Sequence, residues 1–360
     1  MEIIFAIIFI FSLLILITLH EFGHFILAKK FGVKVEEFGI GLPPRIFGKK
    51  IGETVYSLNL LPLGGFVKIY GEEERMDDPR SFNKKPIWQR ASILLAGCLS
   101  FWIVSAVLLS VVMNLGVPRS ISDDVNQTLV ESKVQVVAVA SGSPAEAAGL
   151  RVGDTIKELI IDGSKFEIQK VKEIIDLTEA NKEKKIILTI ERGKEIFEVN
   201  LIPRISPPEG EGPMGVALTR TIIESFPWYQ APFKGISATG NLTILVIQGW
   251  SGALKNLFQG LPIGVEIMGP IRATKEAAKI GQLGVDYFLQ FIAMVAVCVG
   301  LFNLLPIPAL DGGRLLFLGI EKIFKKPIPQ KFEQRINAVF FTLLIALMIW
   351  VTIKDITKLF

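Results

Sequence analysis

The sequence predicts a multispan α-helical membrane protein of about four transmembrane helices, with a membrane-associated β-hairpin and an inserted α+β domain. Three observations carry that prediction. Half of the 360 residues are hydrophobic and the mean hydropathy is +0.48, too apolar for a soluble domain of this size. The apolar residues are clumped into four runs, each long enough as a helix to cross ~30 Å of hydrocarbon. Between the second and third runs the chain changes to mixed charge and alternating strand patterns.

The first helix is expected over 1–28. Within 3–19 only Ser12 and Thr18 are polar. Its start carries Glu2 and no Lys or Arg, and His20, Glu21 and His24 stand where a cleavage site would be. The run therefore reads as a retained helix and not a signal peptide. Segment 52–71 holds two β-prone runs, 54–60 and 66–70, around "LPLGG", with Gly64 and Gly65 in the turn; that is a hairpin signal. It is apolar enough to touch the membrane boundary. The second helix is expected over 91–116.

Residues 125–220 form one small domain. A strand is expected over 134–140 and a helix over 171–181. A hairpin is expected from 185–192 and 195–202, and "SGSPAEAAGLRVGDTI" reads as turn, short helix, turn. Region 221–285 reads as peripheral and amphipathic. In 236–258, Ile247, Trp250, Leu254 and Leu257 recur at helical spacing, interrupted by Asn241, Gln248, Lys255 and Asn256. The last two membrane helices are expected over 287–305 and 337–354.

Lys and Arg crowd the segments after the first and third runs, which the positive-inside rule places in the cytoplasm. The N-terminus, the inserted domain and the C-terminus then lie outside. Cys98 and Cys298 fall within predicted spans and offer neither a disulfide framework nor a zinc knuckle. A net charge of +4 without a basic, aromatic-laced stripe excludes a nucleic-acid partner.

"HEFGH" at 20–24 has the H-E-x-x-H pattern. Positions i and i+4 share one helix face, so His20 and His24 can reach one metal. Imidazole suits Zn²⁺, and Glu21 beside it can act as general base on water. These are the only two histidines in the chain, and ionisable groups within a membrane helix are costly unless they serve a function. Three protein ligands are usual for a catalytic zinc, so a carboxylate or a thiolate must be the third. The best candidate is Asp311 in "NLLPIPALDGGRLL". Pro306 and Pro308 break the helix there, and Gly312 and Gly313 are expected to let the chain turn. Asp311 must share a leaflet with His20 and His24, so 236–258 is expected at the surface and not across the membrane.

At these residues the chain resembles the site-2 protease family of intramembrane zinc metalloproteases, in the bacterial branch typified by the regulator of sigma-E protease. "HEFGH", "NLLPIPALDGG" and an intervening PDZ-like "SPAEAAGLRVGDTI" carry the resemblance, which covers essentially the whole chain. It implies one Zn²⁺ held by His20, His24 and Asp311, with Glu21 activating water. It implies that Asn303 and the Pro306–Pro308 loop hold substrate backbone, and that the Gly64–Gly65 hairpin takes an unwound substrate as an added strand. It implies a single inserted PDZ domain, whose peptide groove is expected at Met214, Gly215 and Val216. Two positions depart from the family pattern. "AGCLSFW" places Cys98 where proline is usual and Phe101 where asparagine is usual.

The function expected is an intramembrane zinc endopeptidase of the bacterial cytoplasmic membrane, with its active site near the cytoplasmic side and its PDZ domain outside. Its substrates would be single-span proteins already cut outside by a site-1-type protease, such as an anti-sigma factor, or remnant signal peptides, all within membrane lipid. The alternative is a non-catalytic PDZ scaffold with a structural metal site, which would not need Glu21. A metal-dependent transporter would need more intramembrane carboxylates than one aspartate.

Overall fold

The apolar runs fold as helices in a computed structural model, which describes residues 2–72, 74, 76–123, 132–193, 195–208, 210–261 and 268–357. Residues 125–131 of the predicted inserted domain lie outside the described residues. Among the described residues, four helices are long and apolar enough to cross a membrane: α1 (Glu2–Lys30), α2 (Ile87–Leu115), α7 (Val285–Asn303) and α9 (Gln330–Thr357). Outward-facing Ile3, Phe11, Ile103, Leu343 and Trp350 are exposed on them, as a lipid-facing surface requires. The chain divides into two compact units.

The first unit comprises 1–111, 232–279 and 289–360. After α1, strands β1 (Val35–Ile51) and β2 (Thr54–Ile69) form a curled sheet. The expected pairing of 54–60 with 66–70 is not the one observed. Residues 65–69 pair with 35–40, residues 55–58 pair with 37–40, and 54–59 also pair with 45–51. β1 thus separates the two runs: the chain turns at 52–53 and reverses again between 58 and 65, around "LPLGG", with residues 37–40 held between the two arms. Residues 65–69 pair on one side with 35–40, and among the described residues no strand lies against the other side. The outer strand leaves Ile46, Phe47, Ile51 and Leu58 exposed, an apolar patch suited to a membrane boundary.

Helix α5 (Ala231–Phe258) lies along α2. Gly235 abuts Ser110, Thr239 Oγ1 is 3.4 Å from Ser105 Oγ, and Trp102 Nε1 donates to Thr243 Oγ1 at 3.0 Å. As α5 ascends, its partners on α2 descend, so the two are antiparallel. Small and hydroxyl-bearing residues let backbones approach in this way. Helix α5 is not among the four candidate membrane helices, and within 236–258 Thr239 and Thr243 lie against α2. Helices α6 (Pro270–Leu283) and α8 (Asp311–Phe324) complete this unit. The buried Asp355 of α9 accepts from Arg272 N, capping the start of α6.

The second unit comprises 112–231 and 280–288. Its antiparallel sheet has the order β3 (Val117–Ile121), β9 (Val216–Glu224), β4 (Lys133–Val139), β5 (Thr155–Ile161), β7 (Ile186–Arg192), β8 (Glu195–Leu201), with β6 (Ser164–Glu167) on β5. Val134, Ile156, Leu159, Ile174, Leu188 and Ile190 make its core. Two helices pack here. In α3 (Pro144–Ala147), Ser143 Oγ accepts from Glu146 N and the Glu146 carboxylate accepts from Gly142 N, which is capping-box chemistry. α4 (Val171–Ala180) buries Ile174 and Thr178. The strand, helix and hairpin expected at 134–140, 171–181 and 185–202 correspond to β4, α4 and β7–β8.

Candidate metal centre

The HEFGH helix presents both histidines inward. His20 and His24 are 7% and 5% exposed, one turn apart on one face of α1. Their Nε2 atoms are 3.2 Å apart, and each is 3.3 Å from Asp311 Oδ2. Tetrahedral ligands at zinc distances of 2.0–2.1 Å would be separated by about 3.3 Å. Donor lone pairs packed this closely repel unless a cation joins them, and the geometry fits zinc. Among the described residues, these three are the cluster able to hold a metal ion.

His24 is held for this task. Its Nδ1 donates to Ile93 O at 2.9 Å, which leaves the Nε2 lone pair for metal. The ring lies where a side chain at Gly97 would be, since a Cβ there would be 2.1 Å from His24 Nε2. Likewise a Cβ at Gly23, inside HEFGH, would fall 2.4 Å from Ala96 O. α1 and α2 therefore touch backbone to backbone at the metal site. Ile93, Gly97 and the packing role of Gly23 were missed by sequence reasoning; the adjacent Gly23-His24 and Ala96-Gly97 pairs were the available signals.

Asp311 is the first residue of α8, after a loop that leaves α7 at Asn303. The loop is tight: Ile307 N donates to Leu305 O at 2.7 Å, and Ala309 N donates to the Asn337 side chain on α9. Gly312 and Gly313 do not form the expected turn. They are helical residues of α8, and a Cβ on either would sit 2.2–2.3 Å from the carbonyls of Leu305 and Ile307. Glycine is needed because the loop packs directly on the helix start. Arg314 pairs with Glu72 just past β2, and Arg90 of α2 forms a bidentate pair with Glu321 of α8 at 3.0 and 3.1 Å. Together these pairs tie α8 to the curled sheet and to α2.

Glu21 points towards β2. Its carboxylate accepts from Val67 N at 3.0 Å, on the unpaired side of residues 65–69. Asn303, at the end of α7, is half-buried and its side chain has no hydrogen-bond partner among the described residues. Pro306 is exposed and Pro308 half-buried. Gly64 and Gly65 sit against Ile17 and Thr18 of α1, one turn before the HEFGH sequence. In the second unit, the side chain of Met214 is buried in the core and does not line a groove. Gly215 has φ of +75° with Ser143 where its Cβ would be. Val216 opens β9, whose residues 216–219 are, among the described residues, paired to β4 on one side only, β3 pairing the other side from 220 onwards.

A triad able to hold a metal ion beside a glutamate, set among apolar helices, has the form of a membrane metallopeptidase site. The chain matches the model of peptidase family M50 over residues 8–347 and belongs to that family, the site-2 proteases. It is similar to a Clostridium perfringens protein named as a candidate zinc metalloprotease, 36% identical over 359 residues, covering 99% of this chain and 98% of the relative. A Clostridium acetobutylicum relative with the same designation is 33% identical over 95% of this chain and 94% of its own length. One from Rickettsia conorii is 34% identical over 98% of each. The protein is thus a zinc metalloprotease and a multi-pass membrane protein.

Proposed function

We propose that the protein cuts single-span membrane proteins within the bilayer, after a first cut outside by a separate protease. The observation that carries this reading is the free side of residues 65–69. It is a sheet edge, and its Val67 N–H is already bonded to Glu21. A transmembrane helix has its carbonyls locked in hydrogen bonds and must be unwound before hydrolysis. A substrate segment added to this edge would be extended and would lie beside Glu21. Asn303, with no partner of its own, is available to a backbone group on the other side.

His20, His24 and Asp311 would hold the zinc. When bound, zinc polarises the scissile carbonyl and makes water acidic enough to lose a proton near neutral pH. Glu21 takes that proton and returns it to the leaving amine, so one carboxylate serves both halves of the reaction. Val67 N–H fixes one oxygen of Glu21. Burial among α1, α2 and α8 excludes bulk water from the histidines.

The placement we infer is the bacterial cytoplasmic membrane, with the metal towards the cytoplasm. Lys and Arg after α1 and around α8 support it. The inserted unit is read as a single PDZ domain outside, with a peptide edge at 216–219 facing α4. Anti-sigma factors and remnant signal peptides are the substrate classes that this reading favours. A scaffold with a structural metal would leave Glu21 without a purpose. The decisive experiment reconstitutes the purified protein with a single-span substrate and compares wild type with Glu21→Gln. We expect the variant to keep its zinc and lose cleavage by at least about 100-fold; equal cleavage by both would overturn the mechanism.

A further inference from the structure

The two positions where α2 departs from the family pattern both touch metal ligands. Cys98 is buried, and its Sγ lies 3.5 Å from Asp311 Oδ2, the oxygen that faces both histidines. Phe101 is 1% exposed and stacks on His20, with ring centroids 5.0 Å apart and planes 24° apart. They stand at i and i+3, on one face of α2. Ile93, on the same helix, holds His24 through its carbonyl. One helix thus contacts each of the three ligands by a different means.

The ligands need these contacts unequally. His24 is fixed by a hydrogen bond at Nδ1. His20 has none: its Nδ1 is buried without a hydrogen-bond partner. The polar contacts of that ring are at Nε2, to His24 and Asp311, and with the Gly97 backbone, and the Phe101 face lies against its plane. Asp311 follows a proline-broken loop, and apart from the two histidines Cys98 is its only side-chain hydrogen-bond partner among the described residues. A thiol donates weakly. It occupies one lone-pair direction on Oδ2 and leaves the carboxylate's charge largely available.

We infer that Cys98 and Phe101 are positioning residues of the zinc site: Cys98 sets the direction of the Asp311 carboxylate, and Phe101 sets the plane of the His20 ring. The inference rests on the metal centre and not on the substrate class. It can therefore be read with no substrate present.

The test titrates full-length protein in detergent with Zn²⁺ against a fluorescent zinc chelator, then measures kcat and KM on a single-span substrate. Partners that orient ligands typically contribute 10–100-fold in metal affinity, so Cys98→Ala and Phe101→Leu are each expected to weaken zinc binding by about 10-fold or more. Each should lower kcat with little change in KM. Cys98→Ser keeps a donor and should stay within about threefold of wild type. Unchanged zinc affinity in Cys98→Ala and Phe101→Leu would overturn the proposal. So would a serine variant as impaired as the alanine, because volume and not the donated hydrogen would then be the cause.

Discussion

Asp311 is half-buried and Asp154 fully buried, and the difference in their partners separates the candidate site from architecture. Asp154, in "RVGDTI", is fully buried in the second unit. Both of its oxygens are satisfied by Arg192, at 2.6 and 2.8 Å, and one also accepts from Arg151 N. Its charge is cancelled by a permanent partner in a bidentate fork. Asp311 faces two histidine nitrogens and a thiol instead, none of which carries a permanent charge. A carboxylate with a covalently tethered cation is part of the frame. One that faces two imidazole nitrogens and a weakly donating thiol is placed to hold a metal ion.

The comparison breaks most visibly by substitution. Asp311→Asn should abolish zinc binding and cut proteolysis by at least about 1,000-fold, and metal analysis with a cleavage assay checks both. Its melting temperature without metal should not fall, since the substitution removes an unneutralised, half-buried charge. Asp154→Ala should do the reverse. It strands a largely buried Arg192, a fault that typically costs about 3–5 kcal/mol, while zinc content stays at wild-type level. A zinc loss in Asp154→Ala matching that in Asp311→Asn would show that the two sites are not separable in this way.

Asp311 was legible in the sequence and Asp154 was not, for a physical reason. Metal chemistry restricts residue types, so two histidines at i and i+4 and a distant Asp-Gly-Gly stand out even without coordinates. An ion pair between β5 and β7 has no such spacing; it depends on which strands become neighbours. The same limit explains the curled sheet. Both β-prone runs at 54–60 and 66–70 were readable, but their separation by β1 is a pairing choice that local pattern does not contain. It also explains α5, whose interrupted apolar pattern does not by itself show which helix it lies along. Gly235, Thr239 and Thr243 make sense only once Ser110, Ser105 and Trp102 of α2 are beside them.

A smaller effect sharpens the reading of the free sheet edge. Val67→Pro removes the N–H that holds Glu21, at an edge position where proline can be accommodated. A hydrogen bond to a charged group contributes about 1.5–3 kcal/mol, so kcat should fall by roughly 10–100-fold with zinc retained. Val67→Ala keeps the N–H and should be close to wild type. If proline and alanine cleave alike, the base is oriented by something other than this strand.

The smallest effect lies in the second unit, where charge is arranged for stability alone. Glu191 on β7 is flanked by Lys133 of β4 at 3.3 Å and Lys157 of β5 at 3.0 Å. Partial burial pushes its carboxyl up, but the two ammonium groups outweigh that and hold it below its ordinary value of 4.5. The folded state therefore binds the proton less readily than the unfolded chain, and stability rises with pH through this group. Its contribution is complete above the ordinary carboxylate range and disappears as pH falls through the depressed folded-state value. Both lysines are well exposed, so solvent screening keeps the gain under about 1 kcal/mol. Glu191→Gln should unfold slightly earlier than wild type at pH 6 in the transition that carries the sheet, and the gap should close near pH 3. A gap of equal size at both values would mean that Glu191 contributes by packing its aliphatic stem and not by its charge. The contrast with Asp154, whose paired charge sits deep in the same sheet, would then rest on burial alone.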